Sequence, residues 1–176
     1  MPVVSADVDP LTIVFEDDGV VPNNPLPFVV YKGAIDVGNY DPEKTIEDLF
    51  LNNGWGGTWR NGIYGYLHYH STVHEALGAA RGRALVRFGG DRGKILEISA
   101  GDVAILPAGT GHQLVCASDD FSVIGAYPPG AEMQITRPTP QNRAQALKTI
   151  PQVKLPKTDP VMGEDGPLVK LWRQSP

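Results

Sequence analysis

The chain of 176 residues contains four histidines, and three of them, His68, His70 and His74, fall within seven positions. A strand turns alternate side chains to the same face, so the pair His68-Tyr69-His70 aims two imidazoles one way from a stiff support. Holding a metal ion takes one or two further nitrogen or oxygen donors. Glu75, shortly after the pair, and His112, in a later strand candidate, are placed to supply them. Three neutral imidazoles and one carboxylate leave a divalent ion with one net positive charge. Such an ion polarises a carbonyl or enediol, or binds dioxygen if it is redox-active. An isolated His-x-His is commonplace; here all four histidines lie in or beside one constellation.

Other chemical motifs are incomplete. His74-Glu75-Ala76-Leu77-Gly78 starts like the helical zinc-protease motif but closes on glycine. Gly93-Lys94 is followed by Ile95, and Phe88 stands where a phosphate-binding loop needs glycine. Gly109-Thr110-Gly111 lacks the last glycine of a dinucleotide fingerprint. Cys116, in the apolar run Leu114-Val115-Cys116, reads as a small core hydrophobe rather than a nucleophile.

The elements that must position the histidines are punctuated by turns. The 20 glycines and 16 prolines make up about a fifth of the chain, against roughly 12% in average usage. With 41% hydrophobic and 20% charged residues, that excess points to turns rather than disorder. Strand candidates are 11–16 and 27–32, then 62–70, 75–80, 83–88, 94–98, 102–106, 112–117 and 121–127, separated by Gly, Pro and Asp. Many short strands predict a mainly β fold, an antiparallel sandwich or barrel. The run Val103-Ala104-Ile105-Leu106 has no polar face, so it should be covered on both sides. On a continuous strand over 62–70, Tyr64 and Tyr66 would share the face of His68 and His70.

Helices are few. Residues 41–53 carry an N-cap (Asp41), a first-turn proline (Pro42), an apolar stripe (Ile46, Leu49, Phe50) and a stop at Gly54. Thr139-Pro140 predicts a second helix with Ala144, Leu147 and Ile150 as its face, ended by Pro151. Leu155 to Pro176 reads as an arm without enough periodicity for a core element, and Asp159, Glu164 and Asp165 as an exposed acidic turn. The length suits a single domain over 1–176, with N-terminal strands and helix in 1–60, a barrel core in 61–127 and a helix and arm in 128–176.

A formal charge of -5 offers no general attraction to nucleic acid or anionic membrane. One cysteine forbids an internal disulfide. No window reaches 18 apolar residues, and the first ten lack a signal-peptide pattern, so a cytoplasmic protein is expected.

The spacing resembles the cupin family. Gly62, His68, His70, Glu75 and Gly82 match its first motif, Gly-x5-His-x-His-x4-Glu-x6-Gly, at every defined position. Gly101, Pro107, Gly109 and His112 match the second, Gly-x5-Pro-x-Gly-x2-His-x3-Asn, with Cys116 in place of the asparagine. Eighteen residues separate the motifs, as in compact single-domain cupins. A narrower resemblance, to the YjlB-like bacterial cupins, runs from Asn53-Gly54-Trp55 through Trp59-Arg60-Asn61-Gly62-Ile63-Tyr64 to Gly125-Ala126-Tyr127-Pro128 and Gly166-Pro167-Leu168.

The resemblance implies an antiparallel double-stranded β-helix, the jelly-roll cupin barrel, with a few short flanking helices. It implies one divalent metal ion per chain (Fe, Mn, Ni or Zn) on His68, His70, Glu75 and His112. It also implies a homodimer through the flanking arms. Glu75 has the family spacing and should point inward; His74 is the alternative fourth ligand, a hydrogen-bond partner of one, or a proton carrier. Tyr64 and Tyr66 could line a substrate pocket or be aromatic packing. Trp55, Trp59 and Arg60 read as surface or subunit-interface residues, though Arg60 could pair with a substrate carboxylate. Arg81, Arg83 and Arg87 read as a solvated face. The expected function is a mononuclear metalloenzyme acting on a small organic molecule, by oxygenase or isomerase and lyase chemistry. The alternative is a non-catalytic barrel that binds or senses a small molecule.

Overall fold

The computed structural model describes residues 4–5, 7–38, 40–130 and 132–175. Residues 1–3 and Pro176, the ends of the expected single-domain span, lie outside them, as does Ala6 within the first ten. The described elements are β1 Leu11–Phe15, β2 Asn24–Tyr31, α1 Pro42–Asn52, β3 Gly56–Asn61, β4 Glu75–Arg81, β5 Arg83–Phe88 and β6 Lys94–Ser99. They continue with β7 Val103–Leu106, β8 His112–Ala117, β9 Ser122–Tyr127, α2 Pro140–Thr149 and α3 Pro167–Gln174. The strands form two antiparallel sheets, a larger one in the order β1-β2-β7-β4-β9-β3 and a smaller one in the order β6-β5-β8.

Alternation sorts the larger sheet into two cores. Leu77 and Ala79 of β4, Ala104 and Leu106 of β7 and Val123 of β9 meet Val86, Phe88 and Ile98 of the smaller sheet in the barrel interior. Ala76, Ala80, Val103, Ile105, Ile124 and Ala126 face outward, against Ile46, Leu49 and Phe50 of α1 and Leu168 and Trp172 of α3. β7 is therefore buried on both faces, as its unbroken apolar run requires. Helix α1 starts where the sequence places it: the Asp41 side chain accepts from Lys44 N at 3.0 Å and Pro42 opens the first turn. The motif turns at Gly82 and Gly109 run at φ +68° and +92°, backbone that L side chains rarely adopt. Among the described residues, no helix is long and apolar enough to cross a membrane.

Several expectations are corrected. Residues 62–70 are not a strand. β3 lies upstream and takes the place beside β9, while 62–70 run as a loop with two single bridges, His68 to His112 and Tyr69 to Thr136. Gly62 and Gly65 offer no side chains to stabilise a ladder there. The second helix buries Ala146, with Ile150 buried just past its end, rather than Ala144 and Leu147, because the packing surface is Tyr69, Ala108 and Val21. The C-terminal segment is part of the core. In α3, Leu168, Val169 and Trp172 are buried, and the Trp172 indole donates to Pro27 O at 2.8 Å.

Asp159 is fully buried rather than in an exposed turn. It accepts from the Tyr31 hydroxyl and from the backbone N–H of Val161, Met162 and Leu168 at 2.8, 3.0 and 3.1 Å. Glu164 and Asp165 do remain exposed. Trp55 is buried against α1 and α3, not on the surface. Cys116 is exposed, because β8 is an edge strand whose last residues leave the core.

Candidate metal centre

Four chain segments converge on the open end of the barrel. His112 opens β8, opposite Phe88 of β5. Its backbone exchanges two hydrogen bonds with His68, His112 N to His68 O at 2.9 Å and His68 N to His112 O at 3.2 Å. That reciprocal pair brings the two rings to 4.1 Å between centroids. His70 follows, its carbonyl fixed by Gly109 N at 2.7 Å. Glu75 opens β4 and shares the parity of Leu77 and Ala79, so it points into the barrel.

Each ring is oriented by a backbone carbonyl. His68 Nδ1 lies 2.9 Å from Tyr66 O, His70 Nδ1 2.9 Å from Gln134 O, and His112 Nδ1 3.1 Å from Thr110 O. A carbonyl only accepts, so each Nδ1 carries the proton and each neutral ring presents an Nε2 lone pair. The three buried rings offer ligand atoms that all lie within 4.8 Å of one another. Glu75 Oε2 is 3.3 Å from His70 Nε2, and Oε1 is 3.4 Å from His112 Nε2. Metal bonds of about 2.1 Å put neighbouring donors roughly 3.0–3.4 Å apart, so this spacing fits a bound ion.

Without an ion, protons and charge are shared among the same groups. Burial, then the neighbouring His112 ring, hold the His68 pKa down to about 3, which keeps its lone pair available. Burial alone would lower His70 too, but the adjacent Glu75 carboxylate outweighs it and raises the pKa. Burial would raise Glu75, but with no ion present a proton shared with His70 and His112 holds it below the usual carboxylate range, the positive charge that a bound cation would supply instead. Glu75 Oε1 is buried with no hydrogen-bond partner. An anion facing imidazole lone pairs without a donor is costly unless a cation lies between them. The donor set therefore suits a divalent cation.

The remaining candidates separate. His74 has the opposite parity to Glu75 and points out of the barrel into the helical layer. Its Nδ1 accepts from Ala108 N at 2.9 Å, and its ring lies 4.7 Å from that of Trp172. In this arrangement its ring is turned away from the three-histidine cluster. Tyr64 and Tyr66 do not reach inward as strand neighbours of the histidines. They stack on each other at 4.8 Å and meet the His68 ring edge-on. Tyr64 stays 46% exposed at the cavity mouth, while the Arg137 guanidinium covers Tyr66 at 3.5 Å. Arg60 reaches the rim, but its guanidinium is engaged by Glu47 at 2.9 Å.

The reading of the sequence missed two features. Tyr127 donates its hydroxyl proton to Glu75 Oε2 at 2.9 Å and accepts from Trp59 Nε1 at 2.7 Å, a relay that holds the carboxylate. Alternation along β9 carries the signal, since Tyr127 shares the inward parity of Val123. Met133 and Ile135 form one wall of the cavity. They sit on a strap held by the His70–Gln134 contact, by Tyr69–Thr136 backbone pairing at 2.9 and 3.1 Å, and by Thr72 Oγ1 to Glu132 O at 2.8 Å. The cavity above the cluster holds about 300 Å³.

Over 163 residues the chain is 39% identical to the uncharacterized protein YjlB of Bacillus subtilis, covering 92% of this chain and 95% of that one. It belongs to the YjlB-like cupins. No protein-family model matches the sequence. Solved structures similar to this YjlB-like cupin include an acireductone dioxygenase from Bacillus anthracis with a cadmium ion in its active centre. It is 18% identical, with TM-score 0.36, over 51% of this chain and 60% of that one. A Klebsiella pneumoniae protein with a double-stranded β-helix domain is 13% identical, with TM-score 0.35, over 76% of this chain and 82% of its own. Superpositions this loose carry no functional argument. In this YjlB-like cupin, the three imidazoles and the Glu75 carboxylate have themselves the spacing that a metal ion needs.

Proposed function

We propose that the chain holds one divalent metal ion on His68, His70, Glu75 and His112 and acts with it on a small organic molecule. The observation that carries this reading is Glu75 Oε1, buried without a hydrogen-bond donor and facing imidazoles whose proton-bearing nitrogens are turned away. Imidazole and carboxylate accept iron, manganese, nickel or zinc. When bound, the ion supplies Lewis acidity, and a redox metal adds oxygenase chemistry to isomerase or lyase chemistry.

The protein's part is positioning. Three backbone carbonyls lock the rings, and Tyr127 keeps its hydroxyl proton on Glu75 Oε2, which leaves Oε1 as the free donor. Burial and the Glu75 charge both raise the Tyr127 pKa, so the phenol stays protonated in that role. Ile63, Leu77 and the strap residues Met133 and Ile135 give the reacting molecule an apolar wall. All four donor side chains come from one chain, so the centre is complete in a monomer or in the homodimer that the resemblance implies.

Element analysis of protein purified without an affinity tag tests this reading. One equivalent of metal is expected, retained in His74→Asn and lost in Glu75→Ala and His112→Ala. A wild-type protein without metal in chelator-free buffer, or full stoichiometry in Glu75→Ala, refutes the assignment. Substrate loss during incubation of the loaded protein separates turnover from binding alone.

A further inference from the structure

The cavity above the histidines has an uneven distribution of hydrogen-bonding groups. Its floor holds the four donor residues, while its walls are Ile63, Leu77, Met133, Ile135 and the ring of Trp59. The polar atoms among the wall residues are mostly engaged within the protein. Trp59 Nε1 is on Tyr127, the Tyr127 hydroxyl is on Glu75, Asn61 Oδ1 accepts from Gly62 N at 2.8 Å, and Arg60 is on Glu47. The Tyr64 hydroxyl and the Asn61 amide lie at the rim, so a ligand's polar atoms are met at the floor and at the mouth, with apolar wall between them.

Resting on the metal reading of this site, we propose that its substrate is a small organic acid or enolate with one oxygen head and an apolar, branched or aromatic body. Two further observations point the same way. Met133 and Ile135 are 37% and 41% exposed, large apolar side chains turned to the mouth rather than to the core. Their strap is pinned on both sides of them, so the apolar wall is preset rather than recruited. The charge at the floor sets the head: with one carboxylate and three neutral imidazoles, a divalent ion keeps one positive charge, matched by one anionic group. The volume sets the size, since about 300 Å³ accommodates roughly ten water-sized groups at about 30 Å³ each.

Hydroxylated bodies are disfavoured, because each hydroxyl that loses water without a partner weakens binding by about 10-fold to 100-fold.

The test uses the full chain loaded with cobalt(II), whose visible absorption reports its ligands. Three 2-oxo acids with the same head are titrated: 4-methyl-2-oxopentanoate, 2-ketogluconate and pyruvate. The branched acid is expected to bind at least 10-fold more tightly than either of the others, and Ile135→Ser to bring that ratio toward one. Equal or tighter binding of 2-ketogluconate or pyruvate, or an unchanged ratio in Ile135→Ser, overturns the substrate class while leaving the metal reading intact. A chain that takes up no cobalt removes the metal reading, and the substrate class falls with it.

Discussion

His74 makes the protein sensitive to acid from outside the candidate centre. Buried at 1% exposure between Ala108 and Trp172, it accepts the Ala108 N–H on Nδ1. Protonating that nitrogen would set one N–H against another. Burial holds its pKa down to about 4, against a weaker upward pull from the Lys154 backbone, where an unperturbed histidine titrates at 6.5. A depressed histidine pKa means that the unfolded chain binds the proton first. The neutral ring costs nothing above pH 6.5, and stability is lost as the pH falls from 6.5 towards 4. At about 1.36 kcal/mol per pKa unit, the loss is about 2 kcal/mol at pH 5 and approaches roughly 3.4 kcal/mol below pH 4.

Urea unfolding of metal-free wild type and His74→Asn between pH 7.5 and 4.5 isolates this contribution. Asparagine keeps an acceptor near Nδ1 but does not titrate, while His68, itself held down to about 3, is present in both proteins and cancels. The stability difference between the two should be flat above pH 6.5 and then move by up to 1.4 kcal/mol per pH unit in favour of the variant. A difference independent of pH would refute a neutral, buried His74.

Other substitutions probe the layers around the centre. Tyr127→Phe removes the donor to Glu75 Oε2 and should weaken metal binding about 10-fold to 100-fold in a chelator competition titration, with the fold intact by circular dichroism. Gly78→Ala places a Cβ 2.6 Å from Ile46 Cγ2 and 2.9 Å from the Phe50 ring. Forcing α1 off the sheet should cost about 1–3 kcal/mol, seen by calorimetry as a lower Tm; an unchanged Tm would show that the helix gives way freely. Asp159→Ala leaves the backbone N–H groups of Val161 and Met162 and the Tyr31 hydroxyl without their acceptor, while Leu168 N keeps the Tyr31 oxygen. It should destabilise by about 3 kcal/mol or more in urea unfolding, and Tyr31→Phe by about 1 kcal/mol; equal effects would contradict the hub role of the carboxylate.

The candidate donor residues are legible in the sequence because their spacing is tied to turns. Gly82 and Gly109 fix where the chain reverses, and parity along β4 then separates Glu75 from His74. The support of His68 and His70 was harder to read. Their convergence comes from one bridge to His112 and from carbonyl contacts, with no ladder whose alternation could be seen in residues 62–70. Helix α3 was overlooked because eight residues give barely two turns of repeat, although Gly166-Pro167 and the apolar set Leu168, Val169 and Trp172 do mark it. Asp159 looked like turn chemistry, because an acidic residue beside proline gives no local sign of four donors brought from β2 and the C-terminal segment. The strap wall at Met133 and Ile135 lacks a flanking strand, so only tertiary contact reveals which way those side chains face.

The strand order also has a kinetic side. Val29 pairs with Ile105 and Ala76 with Ala126, so the central strands join segments far apart in the chain. Such high contact order makes loop closure precede most of the rewarding burial and places β domains of this kind among folders on the millisecond-to-second scale. The candidate centre draws on residues 68–75 and on His112, so its donors meet only when distant segments of the chain have come together. A cation that binds only this assembled set would stabilise the finished barrel without helping to nucleate it. The expected signature is a slower unfolding rate with little change in the refolding rate, the mark of a latch rather than a nucleus.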